Sequence, residues 1–168
     1  MGLLKAKANT NKLKPLLTLL LLVTAAMGGV FTYQHLQHDF ETLEGRTYSW
    51  STLKGQWVVV NYFAPWCAPC LREMPELAKF NASLPSNTKL FAVNYDLKTL
   101  SELKEMTEKY NITIPVIVSS QSTALPMEKP PYLPATFIIG PEGKVVDTIM
   151  GELTAAHLTQ RLQALRRE

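Results

Sequence analysis

The run Trp57-Val58-Val59-Val60-Asn61-Tyr62-Phe63 limits this chain more than any other feature. Its residues are nearly all β-branched or aromatic, and Gly55 and Pro65 bound it. Such a run reads as a strand buried on both faces of a parallel sheet. The sequence downstream alternates helical and extended patterns around it. A helix is expected from near Cys67 to about Leu84, with Leu77, Phe80 and Leu84 on its core face. Lys89 to Tyr95 and Ile114 to Val118 read as further strands, separated by a helix over Thr99 to Tyr110. In that helix Leu100, Leu103 and Met106 face inward, and Glu102, Glu105 and Glu108 face solvent. Pro126, Pro130 and Pro131 make Ser119 to Leu133 a loop. Ala135 to Ile139 and Lys144 to Met150 form a hairpin around the Pro141-Glu142-Gly143 turn. Thr154 caps a last helix, with Leu158, Leu162 and Leu165 inward and Arg161, Arg166 and Arg167 set to complement its C-terminal dipole. Upstream, His35 to Glu44 reads as a polar stalk or first strand, and Tyr48 to Leu53 as a short strand and turn. The expected fold is α/β: a central mixed sheet flanked by helices.

The net charge of +3 belongs to the leader. Lys5, Lys7, Lys12 and Lys14 fall in the first fifteen residues without an acid among them, leaving 13 basic against 14 acidic residues elsewhere. That balance lacks the one-sided basic patch of a nucleic-acid binder. From Pro15 to Gln34 there is no charged residue, and Leu16 to Val23 is strongly apolar. Roughly 20 such residues span a bilayer as a helix, and lysines before them keep the N-terminus inside. A cleaved signal peptide is the competing reading, cut after Val23-Thr24-Ala25 or Thr24-Ala25-Ala26. Apolar character persists through Met27, Val30, Phe31 and Tyr33, which favours an uncleaved anchor. No cysteine follows the apolar run, which argues against a lipoprotein. The expected organisation is a cytoplasmic tail and anchor over residues 1–34 and an exported domain over 35–168.

The chain has two cysteines, Cys67 and Cys70. A structural disulfide usually closes a long loop, and this spacing closes almost none. A structural zinc site needs four ligands, and no second Cys-x-x-Cys exists; His35, His38 and His157 lie far off in sequence. No metal and no cofactor are expected. Placed just after a buried strand and opening a helix, Cys67 meets unpaired backbone N–H groups and the positive end of the dipole, which favour a thiolate. Cys70 lies one turn in, on the same face. Cys67 can attack a substrate disulfide, and Cys70 can resolve the mixed disulfide that results. Pro69 fits the first helical turn. Trp66 offers a flat apolar surface beside the nucleophile.

Trp66-Cys67-Ala68-Pro69-Cys70-Leu71-Arg72-Glu73-Met74-Pro75 resembles the signature of the thioredoxin superfamily, and more narrowly its membrane-tethered TlpA-like branch. That branch includes the ResA and cytochrome c maturation thioredoxins. The resemblance runs from about Phe40 to the C-terminus. It implies that Leu133-Pro134-Ala135-Thr136-Phe137 is the cis-proline segment, with Leu133 and Pro134 against the thiols and substrate backbone. It matches Lys98 to Val118 to the branch's helix-and-strand insertion. Asn61 stands where cytosolic thioredoxins carry a buried aspartate, and Glu73, one turn after Cys70, is the implied proton acceptor for Cys70. Its alternative is a surface residue bonded to Arg72 or the strand end. The branch's usual helix before the cis-proline is not expected here, because of the three prolines.

The resemblance implies a periplasm-facing, single-pass protein of a bacterial inner membrane. It would reduce disulfides of exported proteins, apocytochrome c among the candidate clients, and be recharged by a thiol-transferring membrane electron donor. Two alternatives remain open: an oxidase that inserts disulfides, and a Cu(I) carrier using the two thiolates.

Overall fold

The computed structural model describes residues 10–36 and 38–167, in two units, Met1–Gln37 and His38–Glu168. The first is a helix, α1 (Thr10–Leu36), of 27 residues with Pro15 inside it. Leu17, Leu19, Leu20, Leu21, Leu22, Val23, Met27 and Val30 are all exposed on it. The hydroxyls of Thr18 and Thr24 donate back to the carbonyls of Pro15 and Leu21, at 2.9 and 3.0 Å. Among the described residues no helix is long and apolar enough to cross a membrane. The segment expected to cross the membrane is thus a helix, and no span is shown among the described residues. Lys5 and Lys7, and the side chains of Lys12, Lys14 and His35, lie outside the described residues.

The second unit is built on a five-stranded sheet of order β5-β4-β3-β6-β7. Its centre is β3 (Trp57–Phe63), parallel to β4 (Thr88–Asn94) and antiparallel to β6 (Ala135–Ile139). β5 (Val116–Ile117) extends the parallel side and β7 (Val145–Met150) the antiparallel side, so the sheet is mixed as expected. Central placement explains why the β3 sequence shows no alternation: Val58 to Phe63 are buried whichever face they point to.

The two faces are covered differently. Val59, Phe63, Leu90, Ala92 and Ile138 form one apolar layer with all three helices of this unit. These are α2 (Ala68–Ala82), α3 (Leu100–Lys109) and α4 (Ala155–Leu165). Val58, Val60, Tyr62, Phe91, Val93 and Phe137 form the other layer, which no helix covers. There the short hairpin of β1 (Phe40–Glu41) and β2 (Thr47–Tyr48) packs Phe40 against Tyr48 and Phe91, ring centroids 5.3 and 5.2 Å apart. The segment from Ser119 to Leu133 covers the rest without forming a helix and leaves a cavity of about 480 Å³ beside Tyr62, Tyr95 and Met127. At the end of β1 and just past it, the Leu43 N–H donates to Val116 O and the Val118 N–H to Glu41 O, each at 2.8 Å, and Thr42 bridges to Ile117.

Several local expectations change. The strand expected over Ile114 to Val118 is only Val116–Ile117. Leu84 lies past the end of α2. Leu100, expected inward, is 59% exposed, because it opens α3 and the buried stripe begins a turn later at Leu103, Met106 and Thr107. No basic residue occupies the last turn of α4. Arg161 pairs with Asp147 on β7, and Arg166 donates to Ser86 O at 3.0 Å and to the Thr88 hydroxyl.

Candidate active site

Cys67 is the N-cap of α2, with extended backbone angles (φ −91°, ψ 94°), and its Sγ accepts the Cys70 N–H at 3.2 Å. A side-chain acceptor at an N-cap satisfies a donor that the helix itself cannot. Pro69, within the first turn, supplies no competing N–H. Two cysteines on the first turn of one helix fall within bonding reach, and here they form a disulfide with Cα atoms 5.3 Å apart. Cys67 keeps 6% of its surface in contact with solvent and Cys70 none. Attack from outside is therefore closed at Cys70 and can come only at Cys67.

One turn further into α2, Glu73 is fully buried. Its Oε1 accepts from Asn61 Nδ2 at 2.8 Å and its Oε2 from the Leu153 N–H at 3.1 Å. Burial pushes its pKa up from the ordinary 4.5 to about 7; the two hydrogen bonds oppose the shift, and the nearby Glu152 charge adds to it. Asn61 also donates to the Thr136 hydroxyl at 2.9 Å, tying β3 to α2 and β6. The alternative of a surface glutamate bonded to Arg72 does not hold. Arg72 points outward to Glu152, at 2.7 Å. A carboxyl balanced near neutrality can take or give a proton within the pH range where thiols exchange.

Leu133–Pro134 is a cis peptide bond, as the resemblance implied. Ala135 pairs with Tyr62, so the cis bond lies at the end of β3 from which the cysteine turn departs. Leu133 packs against the apolar layer that contains Cys67 and Cys70. The Pro134 carbonyl accepts the Gly151 N–H at 2.8 Å. Trp66 is 63% exposed; its Nε1 donates to Asp96 at 2.8 Å and its ring meets Tyr95 edge-on at 5.9 Å. Held by one edge, it presents a face to solvent beside Cys67. Sequence reasoning missed Thr136, Asp96 and the turn Gly151-Glu152-Leu153. The one signal was the amide of Asn61 inside an otherwise apolar strand, which demands a polar partner.

Among the described residues, no cluster of three or more His, Cys, Asp or Glu side chains could hold a metal ion. The AhpC/TSA family model matches residues 31–148. The thiol-disulfide oxidoreductase ResA of Geobacillus thermodenitrificans is 30% identical over 125 residues, 74% of this chain and 71% of that protein. The structure of MTB DsbF, in its mixed oxidized and reduced forms, is 27% identical with a TM-score of 0.62, covering 77% of this chain and 96% of that one. The exposed lipoprotein thioredoxin Etrx1 of Streptococcus pneumoniae is 22% identical with a TM-score of 0.66, over 74% and 96% of the two chains, and speaks to the fold alone. With the disulfide at a helix N-terminus, the cis-proline opposite and these likenesses together, the chain belongs to the AhpC/TSA family and is a thioredoxin-like thiol–disulfide oxidoreductase.

Proposed function

We propose that this oxidoreductase reduces disulfides of exported polypeptides while tethered to the outer face of a bacterial inner membrane. The Cys67 thiolate attacks a client disulfide, and one client sulfur leaves as a thiolate. Cys70 then gives its proton to Glu73 and attacks the Cys67 sulfur, releasing the second client thiolate. The client gains two electrons and leaves as two thiolates, which take their protons from water; the Cys70 proton rests on Glu73, and the chain is left with the Cys67–Cys70 bond. A membrane dithiol donor restores both thiols by the same exchange.

Glu73 carries this reading: a buried carboxyl with a pKa raised to about 7, one turn beyond the resolving cysteine. The tether is supported by α1, whose apolar side chains are exposed all round and whose Thr18 and Thr24 hydroxyls are bonded within the helix, as lipid requires. A reporter fused after Glu168 should work only if it is active outside the cytoplasm. A mature N-terminus near Ala26 or Met27 would replace the tether with a cleaved signal.

The decisive experiment is trapping. Cys70→Ser should accumulate clients covalently on Cys67, and Cys67→Ser should capture none. Apocytochromes among the adducts would mark haem-protein maturation, and a wider set general reduction. Adducts through Cys70 in Cys67→Ser would reverse the roles. If the pair is held oxidised in intact cells, and exported proteins lose disulfides without the chain, electron flow runs the other way.

A further inference from the structure

The turn between β7 and α4 touches the active site at three consecutive residues. The Gly151 N–H is bonded to the Pro134 carbonyl, Glu152 is paired with Arg72, and the Leu153 N–H is bonded to Glu73. Two residues on, the Ala155 N–H donates to Glu76 at 3.1 Å. Gly151 has φ +97°, a conformation that other residues rarely adopt, so the turn is shaped by its sequence. Arg72 and Glu73 on α2 thus face Glu152 and Leu153 on the turn, one contact exposed and the other buried.

The exposed contact is poorly suited to stabilising the fold. The Arg72 and Glu152 side chains are 61% and 40% exposed, and pairs of that kind contribute little. Its geometry is specific, however: Arg72 reaches Glu152 through Nη2 at 2.7 Å and Nε at 3.4 Å. A fork of that form fixes the carboxylate's direction as well as its distance. We propose that Glu152, gripped by Arg72, is a positioning residue for proton transfer from Cys70, because it holds the Leu153 N–H on the Glu73 carboxyl. The proposal rests on the reading of Glu73 as the acceptor of that proton.

The surroundings of Glu73 leave few other groups to account for such an effect. From the sheet, Asn61 and Thr136 carry no titratable group. On α2 its neighbours are the two cysteines, Arg72 and Glu76, the last bonded to Lys79 and to the Ala155 N–H. From the turn comes Glu152. Glu152 acts on Glu73 in two opposed ways. Its charge favours the protonated carboxyl, and the Leu153 bond it secures favours the carboxylate. The opposed signs make the proposal testable.

The measurement uses the full chain in detergent micelles, with Cys67 preloaded as a mixed disulfide with 5-thio-2-nitrobenzoate. Release of the coloured thiolate reports attack by Cys70, and its rate is followed against pH. In Glu152→Ala the turn loses its grip, and the midpoint should rise by roughly one unit, as expected for loss of a hydrogen bond to a charged group. Glu152→Gln keeps an oxygen for Arg72 and loses only the charge, so its midpoint should fall. A midpoint that falls or stays in Glu152→Ala overturns the positioning role. Glu73→Gln separates this failure from that of the underlying reading. If Glu73→Gln retains the parent's midpoint, Glu73 is not the acceptor and both ideas are overturned. If it abolishes the midpoint while Glu152→Ala fails to raise it, only the role of Glu152 is overturned.

Discussion

Two buried polar residues stand at the same end of the sheet and are treated in opposite ways. Asn61 on β3 lies opposite Ala92, and Asn94 on β4 lies opposite Phe63, so both amides issue on the same face two positions apart. Asn61 Nδ2 has two partners, Glu73 and Thr136, while its Oδ1 has none among the described residues. Asn94 is 4% exposed, and neither its Nδ2 nor its Oδ1 has a hydrogen-bond partner among the described residues. An amide whose donor is shared between two acceptors can hold an ionisable group at a chosen proton affinity, whereas one with neither donor nor acceptor paired only costs stability. In this domain, then, polarity near the disulfide is organised on the β3 side and not on the β4 side.

The largest effect that tests this contrast comes from Glu73. Between about pH 4.5 and about pH 7 the unfolded chain has released this proton and the folded chain keeps it. Folding binds a proton in that window, so stability falls as pH rises through it and is level on either side. The span amounts to about 3 kcal/mol. In Glu73→Gln that slope should vanish, which denaturant titrations at pH 4 and pH 8 would reveal. A parent whose stability does not fall between those values would show that Glu73 is already ionised at low pH, and the contrast with Asn94 would collapse.

Asn94→Leu should act in the opposite sense. Removing two unmet groups from a buried position at similar volume is expected to raise stability by about 1–2 kcal/mol. A lower denaturation midpoint would mean that Asn94 is satisfied after all, and that both strand ends follow one rule. The smallest effect is expected at the surface. Glu152→Gln, which keeps an oxygen for Arg72, should leave the thermal midpoint within the scatter of the parent, because exposed ion pairs are weak. A clear drop would make the turn a part of the fold's stability and not only of its chemistry.

What could be read from the sequence follows the range of the interactions. The cap at Cys67 and the proline in the first turn are settled within four residues, and both were legible; the Thr99 capping box with Glu102 is as local, yet Glu102 was read only as a solvent-facing residue. The cis bond before Pro134 was legible only through family resemblance, since Pro130 and Pro131 have the same local chemistry. The partners of Glu73 were not legible. Leu153 is 80 positions away, and Thr136 is 75 from Asn61. A backbone N–H leaves no mark on a sequence. Leu100 was misread for a related reason: helical periodicity identifies a face but not where along the helix that face meets the sheet.

The bonds from Glu41 and Leu43 to Val116 and Val118 have a consequence for how the domain behaves among copies of itself. β5 is only two residues long and forms one border of the sheet, where bare N–H and C=O groups would invite pairing with another chain. The last residue of the first hairpin strand and the two that follow it occupy that border instead, by two hydrogen bonds and the Thr42 bridge. A fragment cut to begin at Trp57 would keep every strand of the sheet and both cysteines, yet expose an unpaired border flanked by the uncovered Ile117 and Phe91. Such a fragment should self-associate through β5, and size-exclusion chromatography over a range of concentrations would show it. Residues 41–43 thus act as a guard against aggregation.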